Sequence, residues 1–343
     1  GLLGWADAPA RVGEVIERRE GPDYVIERRR AALGVVAFVF EGRPNVFADG
    51  AGVVRSGNAA VMRIGGDALE TALAIERLAL VPALQAAGLP TAAVRLVRSR
   101  EHGAGQALFT LPSVRLAVAR GSGATVALLG AIAEQHGIPA SLHGTGGAWL
   151  YVEASAAPAA LENAIVNSLD RKVCNTLNVL VLERAALASL GPVCERALRK
   201  VGAKVHVAAG CEGVVSGEPG YPVAELGREW EWEDRPELSF VVVDSLADAA
   251  ALINRYSPHF VASILSQRGD ALEELYAAVD TPYVGNGFTR WVDGQWAWLR
   301  PELGLTNWER GRLLGRSGFL SGDDIYTVRD VFIDRTGLAV QRR

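Results

Sequence analysis

Cys174 stands in the run Arg171-Lys172-Val173-Cys174-Asn175-Thr176, after an Ala/Asn-rich helical stretch and before the apolar strand Val179-Leu180-Val181-Leu182. Helix and strand ends bring backbone N–H groups near a sulfur and favour thiolate. A thiolate can attack an acyl carbon and hold the acyl group as a thioester. That chemistry also needs donors for the oxyanion and an acceptor for what leaves. The backbone N–H of Cys174 is one plausible donor. The side-chain amide to set beside it is Asn45, in Glu41-Gly42-Arg43-Pro44-Asn45-Val46. This run follows the apolar strand Gly34-Val35-Val36-Ala37-Phe38-Val39-Phe40, at the carboxyl end where parallel sheets place their sites. Each residue also has a plain reading. A lone cysteine is more often a small buried hydrophobe, and Asn45 after Pro44 suits a turn or helix cap.

The rest of the inventory narrows the chemistry. Cys194 and Cys211 keep the buried-hydrophobe reading, and the three cysteines form no C-x-x-C pair, as expected of a reducing, cytoplasmic compartment. The five histidines form no H-x-x-x-H pattern, so no metal site is expected. Net charge is −4 with no basic stripe, which argues against nucleic acid. No apolar run approaches the roughly 18 residues of a membrane span. The start, Gly1-Leu2-Leu3-Gly4-Trp5, lacks a signal-peptide pattern; without an initiator Met it fits a fragment or a processed form.

These residues need elements to hold them. The chain has 343 residues, 49% of them apolar, enough for one large or two medium domains. Val12 to Arg18 and Tyr24 to Arg30 alternate in charge around Gly21-Pro22-Asp23 and predict an exposed hairpin that docks on another subunit. Strands are expected at Gly34–Phe40, Asn58–Met62, Val94–Val97, Val114–Ala119 and Trp149–Val152. Helices alternate with them, among them Asp67–Ala87, interrupted at Pro82, and Ala124–Gln135 after Arg120-Gly121-Ser122-Gly123. The rhythm repeats from Pro158 to Asn286. Trp291 to Gly322 reads as loop, and Ile325 to Ile333 as an edge strand. The fold class is α/β: a doubly wound parallel sheet, then a second α/β domain. The expected boundaries are 1–33 for the hairpin, 34–152 for the first domain, 153–308 for the second and 309–343 for the return segment.

Six runs, in order, carry a resemblance: Leu33-Gly34-Val35-Val36, Glu41-Gly42-Arg43-Pro44-Asn45-Val46, Ser56-Gly57-Asn58-Ala59, Ala87-Gly88-Leu89-Pro90, Val173-Cys174-Asn175 and Arg290-Trp291-Val292-Asp293-Gly294. On these the chain resembles the aldehyde dehydrogenase superfamily, and within it the gamma-glutamyl phosphate reductases (glutamate-5-semialdehyde dehydrogenases), across residues 12 to 329. The resemblance implies an aldehyde dehydrogenase-like fold with an oligomerisation hairpin and a homo-oligomer. It makes Cys174 the nucleophile and Asn45 an oxyanion donor in an NADPH-dependent reduction of an acyl phosphate. The default substrate is L-glutamyl 5-phosphate, giving glutamate 5-semialdehyde on the way to proline. Arg63, Gly65 and Gly66 fall in its adenosine-phosphate region, and Arg120, Gly121 and Gly123 at its glycine-rich cofactor loop. A basic Arg63 suits a 2′-phosphate and so NADP over NAD. Arg290, Glu302 and Asn175 are the implied substrate contacts.

Without the resemblance, Gly121-Ser122-Gly123 is a turn opening a helix and Arg63 a solvated charge, while Glu302 reads equally as a substrate or cofactor contact or a loop carboxylate, and Arg290 equally as a buried cation for an anionic substrate or part of a surface ion pair. His143 reads as an ordinary loop histidine. Trp291, Trp296, Trp298 and Trp308 suit either a substrate pocket or packing.

The departures bear on the substrate. The run His143-Gly144-Thr145-Gly146-Gly147-Ala148-Trp149 has no carboxylate to activate water, which fits phosphate as the group exchanged. Ala148-Trp149 replaces the reductases' Cys-His, Pro258–Ser263 their His-Ser-Asp segment, and Trp296–Glu302 their Phe-Gly-Leu-Gly-Ala-Glu loop. All three are expected where substrate is held. The family's helices before the hairpin have no counterpart in this chain. A reductase of another activated acyl group is the first alternative, and a non-catalytic binding or structural subunit the second.

Overall fold

The computed structural model describes residues 2–40, 46–298 and 302–337. The chain forms two compact units. Gly1–Gly144, Leu299–Leu305 and Phe319–Arg343 make the first, and Thr145–Trp298 with Thr306–Gly318 the second.

The first unit opens with α1 (Leu2–Asp7), β1 (Val15–Glu20) and β2 (Tyr24–Ala32). Then β3 (Val35–Phe40), α2 (Val46–Arg55), β4 (Ala59–Arg63), α3 (Leu69–Ile75), α4 (Val81–Ala86), β5 (Val94–Leu96), α5 (His102–Leu108), β6 (Val114–Arg120), α6 (Gly123–Gln135) and β7 (Ala140–His143) alternate. The last five strands form one sheet in the order β5-β4-β3-β6-β7, every pair parallel. The chain starts in the middle at β3, winds out through β4 and β5, and returns on the other side at β6. The order reverses between β3 and β6, and a reversal of this kind leaves a crevice at the strands' carboxyl ends. There β6 runs into Arg120-Gly121-Ser122-Gly123. Both faces of a parallel sheet are covered, so a continuous apolar run such as Val36–Phe40 is buried throughout. The helix expected over Asp67–Ala87 forms in two pieces. The chain widens into a π turn at Glu76–Leu80, just ahead of Pro82, whose ring nitrogen has no N–H to donate.

In the second unit β8 (Ala148–Val152), α7 (Pro158–Ser168), β9 (Leu177–Glu183), α8 (Leu187–Lys200), β10 (Lys204–Ala208), β11 (Glu218–Tyr221), β12 (Glu237–Val243), α9 (Leu246–Tyr256), β13 (Val261–Leu265), α10 (Ala271–Ala278), β14 (Tyr283–Gly285) and α11 (Gln295–Trp298) follow. Their seven strands make a second parallel sheet, ordered β11-β10-β12-β9-β8-β13-β14. Ser245 caps α9, its Oγ accepting the Asp248 N–H at 3.2 Å.

Short strands return the chain to the first unit. β15 (Glu302–Gly304) belongs there, β16 (Trp308–Glu309) and β17 (Arg312–Leu313) form a small antiparallel ladder in the second unit, and β18 (Leu320–Ser321) pairs with β15. Finally β19 (Tyr326–Asp334) runs antiparallel to β2, completing a three-stranded sheet in the order β1-β2-β19. The predicted hairpin and tail strand are thus neighbours within one chain. Cross-strand charge pairs hold them: Arg18 on β1 reaches Glu27 on β2, which Arg29 of its own strand also contacts, and Arg28 lies between Glu17 on β1 and Asp330 on β19.

The expected domain boundaries differ from these units. β8 was assigned to the first domain by the break at 152/153, but it pairs with β9 and β13, so the division falls after Gly144. Residues 34–152 and 153–308 are therefore not the units. The break at 308/309 shifts as well: Thr306–Gly318 lies in the second unit and Phe319–Arg343 in the first.

Candidate active site

Cys174 lies on the turn between α7 and β9, partly exposed, at the amino edge of the second sheet. Thr176 closes the turn: its Oγ1 accepts the Val173 N–H at 2.9 Å and donates to the Arg171 carbonyl at 2.8 Å. The glycine run before β8 holds it from the other side. Gly147 donates its N–H to the Cys174 carbonyl and Ala148 to that of Thr176, both at 2.8 Å. A Cβ on Gly146 would sit 2.8 Å from both Cα and O of Cys174, and Gly147 has φ +105°. Only glycine satisfies both positions without displacing the cysteine.

Asn175 ties this turn to the segment that follows β14. Its Nδ2 donates to the Asp293 carboxylate at 2.7 Å and to the Arg290 carbonyl at 3.2 Å. Thr289 completes the joint, donating Oγ1 to the Asn175 carbonyl at 2.7 Å and its N–H to Ser168 Oγ at 2.9 Å. Asn175 Oδ1 and Arg290 Nε are buried without a hydrogen-bond partner, while Arg290 Nη1 lies 3.5 Å from Asp170. The fold brings Cys174, Asn175 and Arg290 into one place, and Asn175 spends its amide on holding the loop.

Two residues at this site had no signal in the sequence. Glu229 accepts the Gly146 N–H on Oε2 at 2.5 Å, and its Oε1 pairs with Lys172. Lys172 and Glu229 are 57 residues apart in sequence, and nothing in the Cys174 run or around Glu229 marks the two as partners. Both carboxylate oxygens of Glu229 are engaged.

The segments that depart from the resemblance do not all reach a surface. Ala148 and Trp149 are fully buried in β8, so they fill the core and offer no face to a ligand. In the Pro258–Ser263 segment, Phe260 through Ser263 are buried, and Ser263 Oγ donates to the Gly287 carbonyl at 2.6 Å. His259 stacks on Trp308 with ring centroids 3.6 Å apart. The Trp296 side chain and residues 299–301 lie outside the described residues; Trp291 and Trp298 are 57% and 62% exposed.

The first unit holds the residues assigned to the cofactor. Arg63, at the end of β4, is buried rather than solvated; Nη2 donates to the Arg100 carbonyl at 3.0 Å and Nε has no partner. Gly65 and Gly66 turn the chain out of β4. Arg120 pairs with Glu302 at 2.6 Å and lies over the Phe40 ring, leaving Nε and Nη2 without partners. Glu302 is therefore a partner of Arg120 in this unit. Asp49, on α2, is buried near both charges; burial, opposed by Arg120, pushes its carboxyl up to about 7. Gly121 donates its N–H to the His143 carbonyl at 3.3 Å, and Gly123 opens α6. Asn45 lies outside the described residues.

The Aldehyde dehydrogenase family model matches residues 12–203. The chain belongs to the aldehyde dehydrogenase family. It is 31% identical to the gamma-glutamyl phosphate reductase of Brucella anthropi, over 89% of this chain and 71% of that protein. To the gamma-glutamyl phosphate reductase of Caulobacter vibrioides it is 34% identical, over 89% of this chain and 74% of that one. The crystal structure of gamma-glutamyl phosphate reductase from Thermotoga maritima shares the fold, with a TM-score of 0.84 at 23% identity, covering 98% of this chain and 80% of that one. Aldehyde dehydrogenases use nicotinamide cofactors as oxidoreductases. The first unit fits such a group: glycines open α6 at the carboxyl end of β6, and the buried Arg63 and Arg120 keep N–H groups without partners. Among the described residues no group of His, Cys, Asp or Glu suits a metal, and no helix is long and apolar enough to cross a membrane.

Proposed function

We propose that this chain is an NADPH-dependent reductase of an acyl phosphate, with L-glutamyl 5-phosphate as default substrate and Cys174 as nucleophile. The observation that carries the reading is the Cys174 turn, clamped by Gly146, Gly147 and Asn175 and partly open to solvent. The names of the two curated relatives supply the substrate.

The Cys174 thiolate attacks the acyl carbon. The bond from that carbon to the phosphate oxygen breaks, phosphate leaves with the electron pair, and a thioester remains on the sulfur. Backbone N–H groups and the Asn45 amide stabilise the oxyanion. No carboxylate in the 143–149 run stands ready to activate water, and Glu229 is committed to Lys172 and Gly146, which protects the thioester from hydrolysis. When bound, the reduced nicotinamide supplies the hydride that a thioester needs to leave as an aldehyde. Arg63, Gly65, Gly66, Arg120, Gly121 and Gly123 hold this cofactor, with Arg63 the reason to favour NADP. Arg290 is the cation for an anionic part of the substrate. A second reading keeps the chemistry but takes a bulkier acyl group, favoured by the exposure of Trp291 and Trp298 on either side of Asp293.

The test is direct. The purified chain should oxidise NADPH with glutamyl phosphate, and reduce NADP with glutamate semialdehyde only when phosphate is present. Cys174→Ala should abolish both while leaving the melting temperature unchanged. Retained turnover in that variant would refute the covalent route, whereas activity with another acyl phosphate alone would move the substrate and keep the chemistry.

The three-stranded sheet is the proposed self-association element. Ile16, Ile26, Val328 and Phe332 are exposed on it, an apolar surface that a second copy would cover.

A further inference from the structure

Glu229 and Lys172 bracket the cysteine. Glu229 binds the N–H of Gly146, which precedes the glycine that holds the Cys174 carbonyl, and Lys172 lies two residues before Cys174. A Cβ on Gly146 would be 2.8 Å from Cys174 Cα and 2.9 Å from Glu229 Oε1, so carboxylate and cysteine face the same glycine. The pair is shielded from water, with the Lys172 and Glu229 side chains 12% and 16% exposed.

Glu229 is held in place by its neighbours. Asn178 donates Nδ2 to the Arg228 carbonyl at 2.8 Å and accepts the Trp230 N–H on Oδ1 at 2.9 Å, so one amide grips both residues flanking Glu229. Trp230 stacks on His206 with centroids 3.8 Å apart and donates Nε1 to Ser239 Oγ at 3.0 Å. This much support for one carboxylate implies a job for it.

The other charges around the turn are in place too. Glu231 lies 3.6 Å from Lys172, Asp170 lies 3.9 Å from Arg171 and 3.5 Å from Arg290, Asp293 holds Asn175, and Arg228 lies over the Trp230 ring. Glu229 is the charge brought to Gly146 and so to the cysteine backbone, and Lys172 is paired to it.

We propose that Glu229 and Lys172 are positioning residues for Cys174, an ion pair that fixes the cysteine turn and sets how readily its thiol ionises. The proposal rests on the reading of Cys174 as nucleophile. A nearby cation favours thiolate and a nearby anion opposes it, so removing one member should tip the balance towards the other.

The experiment is alkylation of the full chain by iodoacetamide across the pH range in which thiols titrate, with the rate at each cysteine read by peptide mass spectrometry. Glu229→Gln leaves the ammonium less compensated and should lower the pH midpoint of Cys174 reactivity by about one unit. Lys172→Met leaves the carboxylate and should raise it by about as much. Lys172→Arg should restore the original midpoint. A purely structural role cannot move the two variants in opposite directions; shifts of the same sign, or none, overturn the proposal. If a melting curve shows that one variant has not folded, the direction of the other decides. Should Cys174 of the unaltered chain react no faster than Cys194 and Cys211, the nucleophile reading falls and this proposal with it. Fast Cys174 with unmoved midpoints removes the proposal alone.

Discussion

Asn175 Nδ2 donates to the Asp293 carboxylate at 2.7 Å, and both residues are buried. The residue after Cys174 is thereby fastened to a turn more than a hundred positions further along the chain. The family resemblance implies a substrate contact here; the geometry gives Asn175 the work of a brace for the cysteine turn, with Oδ1 left without a partner.

Asn175→Ala should therefore act on stability as well as turnover. It strips a buried carboxylate of a hydrogen bond, which costs about 1–3 kcal/mol. Urea denaturation should show a lower midpoint with an unchanged slope. A midpoint equal to that of the unaltered chain would return Asn175 to a role in binding alone.

Gly146→Ala introduces a methyl group 2.8 Å from the Cys174 Cα and carbonyl oxygen, closer than non-bonded atoms approach. The turn must shift, and Gly146 must give up its N–H contact to Glu229. Small displacements of reacting groups cost on the order of 100-fold in rate. Turnover should drop by about that factor while the far-ultraviolet dichroism stays unchanged. Normal turnover would mean that the cysteine does not depend on this clamp.

Asp49 gives the clearest pH prediction. Burial raises its carboxyl from 3.8 to about 7 in the folded chain. Between those values the folded state holds a proton that the unfolded state has lost, so stability falls as pH rises through this window and levels off above it. Asp49→Asn removes the penalty. The variant should match the unaltered chain in acid and gain on the order of 2–4 kcal/mol above neutrality. Thermal melts at a series of pH values test this; a gain independent of pH would contradict it.

Phe332 is 64% exposed on β19 and stacks on Tyr24 with centroids 6.0 Å apart. If the three-stranded sheet carries self-association, Phe332→Arg should shift the chain to a smaller species in light scattering. An unaltered chain that is already monomeric removes the proposal.

Much of this was readable in the sequence because it is local. Short continuous apolar runs rich in β-branched residues, such as Val36–Phe40 and Val179–Leu182, read as strands covered on both faces. The order of short motifs carried the family and pointed to Cys174. What pairs with what was another matter. β8 reads the same whichever sheet it joins, since an apolar strand is indifferent to its neighbour, and the domain boundary moved with it. Arg63 read alone as a solvated charge and is buried; Ala148-Trp149, expected in the region where substrate is held, fills the core.

The sequence by itself determined the α/β alternation and the family and singled out Cys174 as the candidate, because propensity, periodicity and motif order are properties of neighbouring residues. Only the tertiary structure decided which charges meet. Lys172 with Glu229, Arg120 with Glu302, and Arg28 with Asp330 join residues from 57 to 302 positions apart. A charged side chain carries no mark of its partner, since Coulomb attraction depends on distance in space and on exclusion of water, and folding alone sets both.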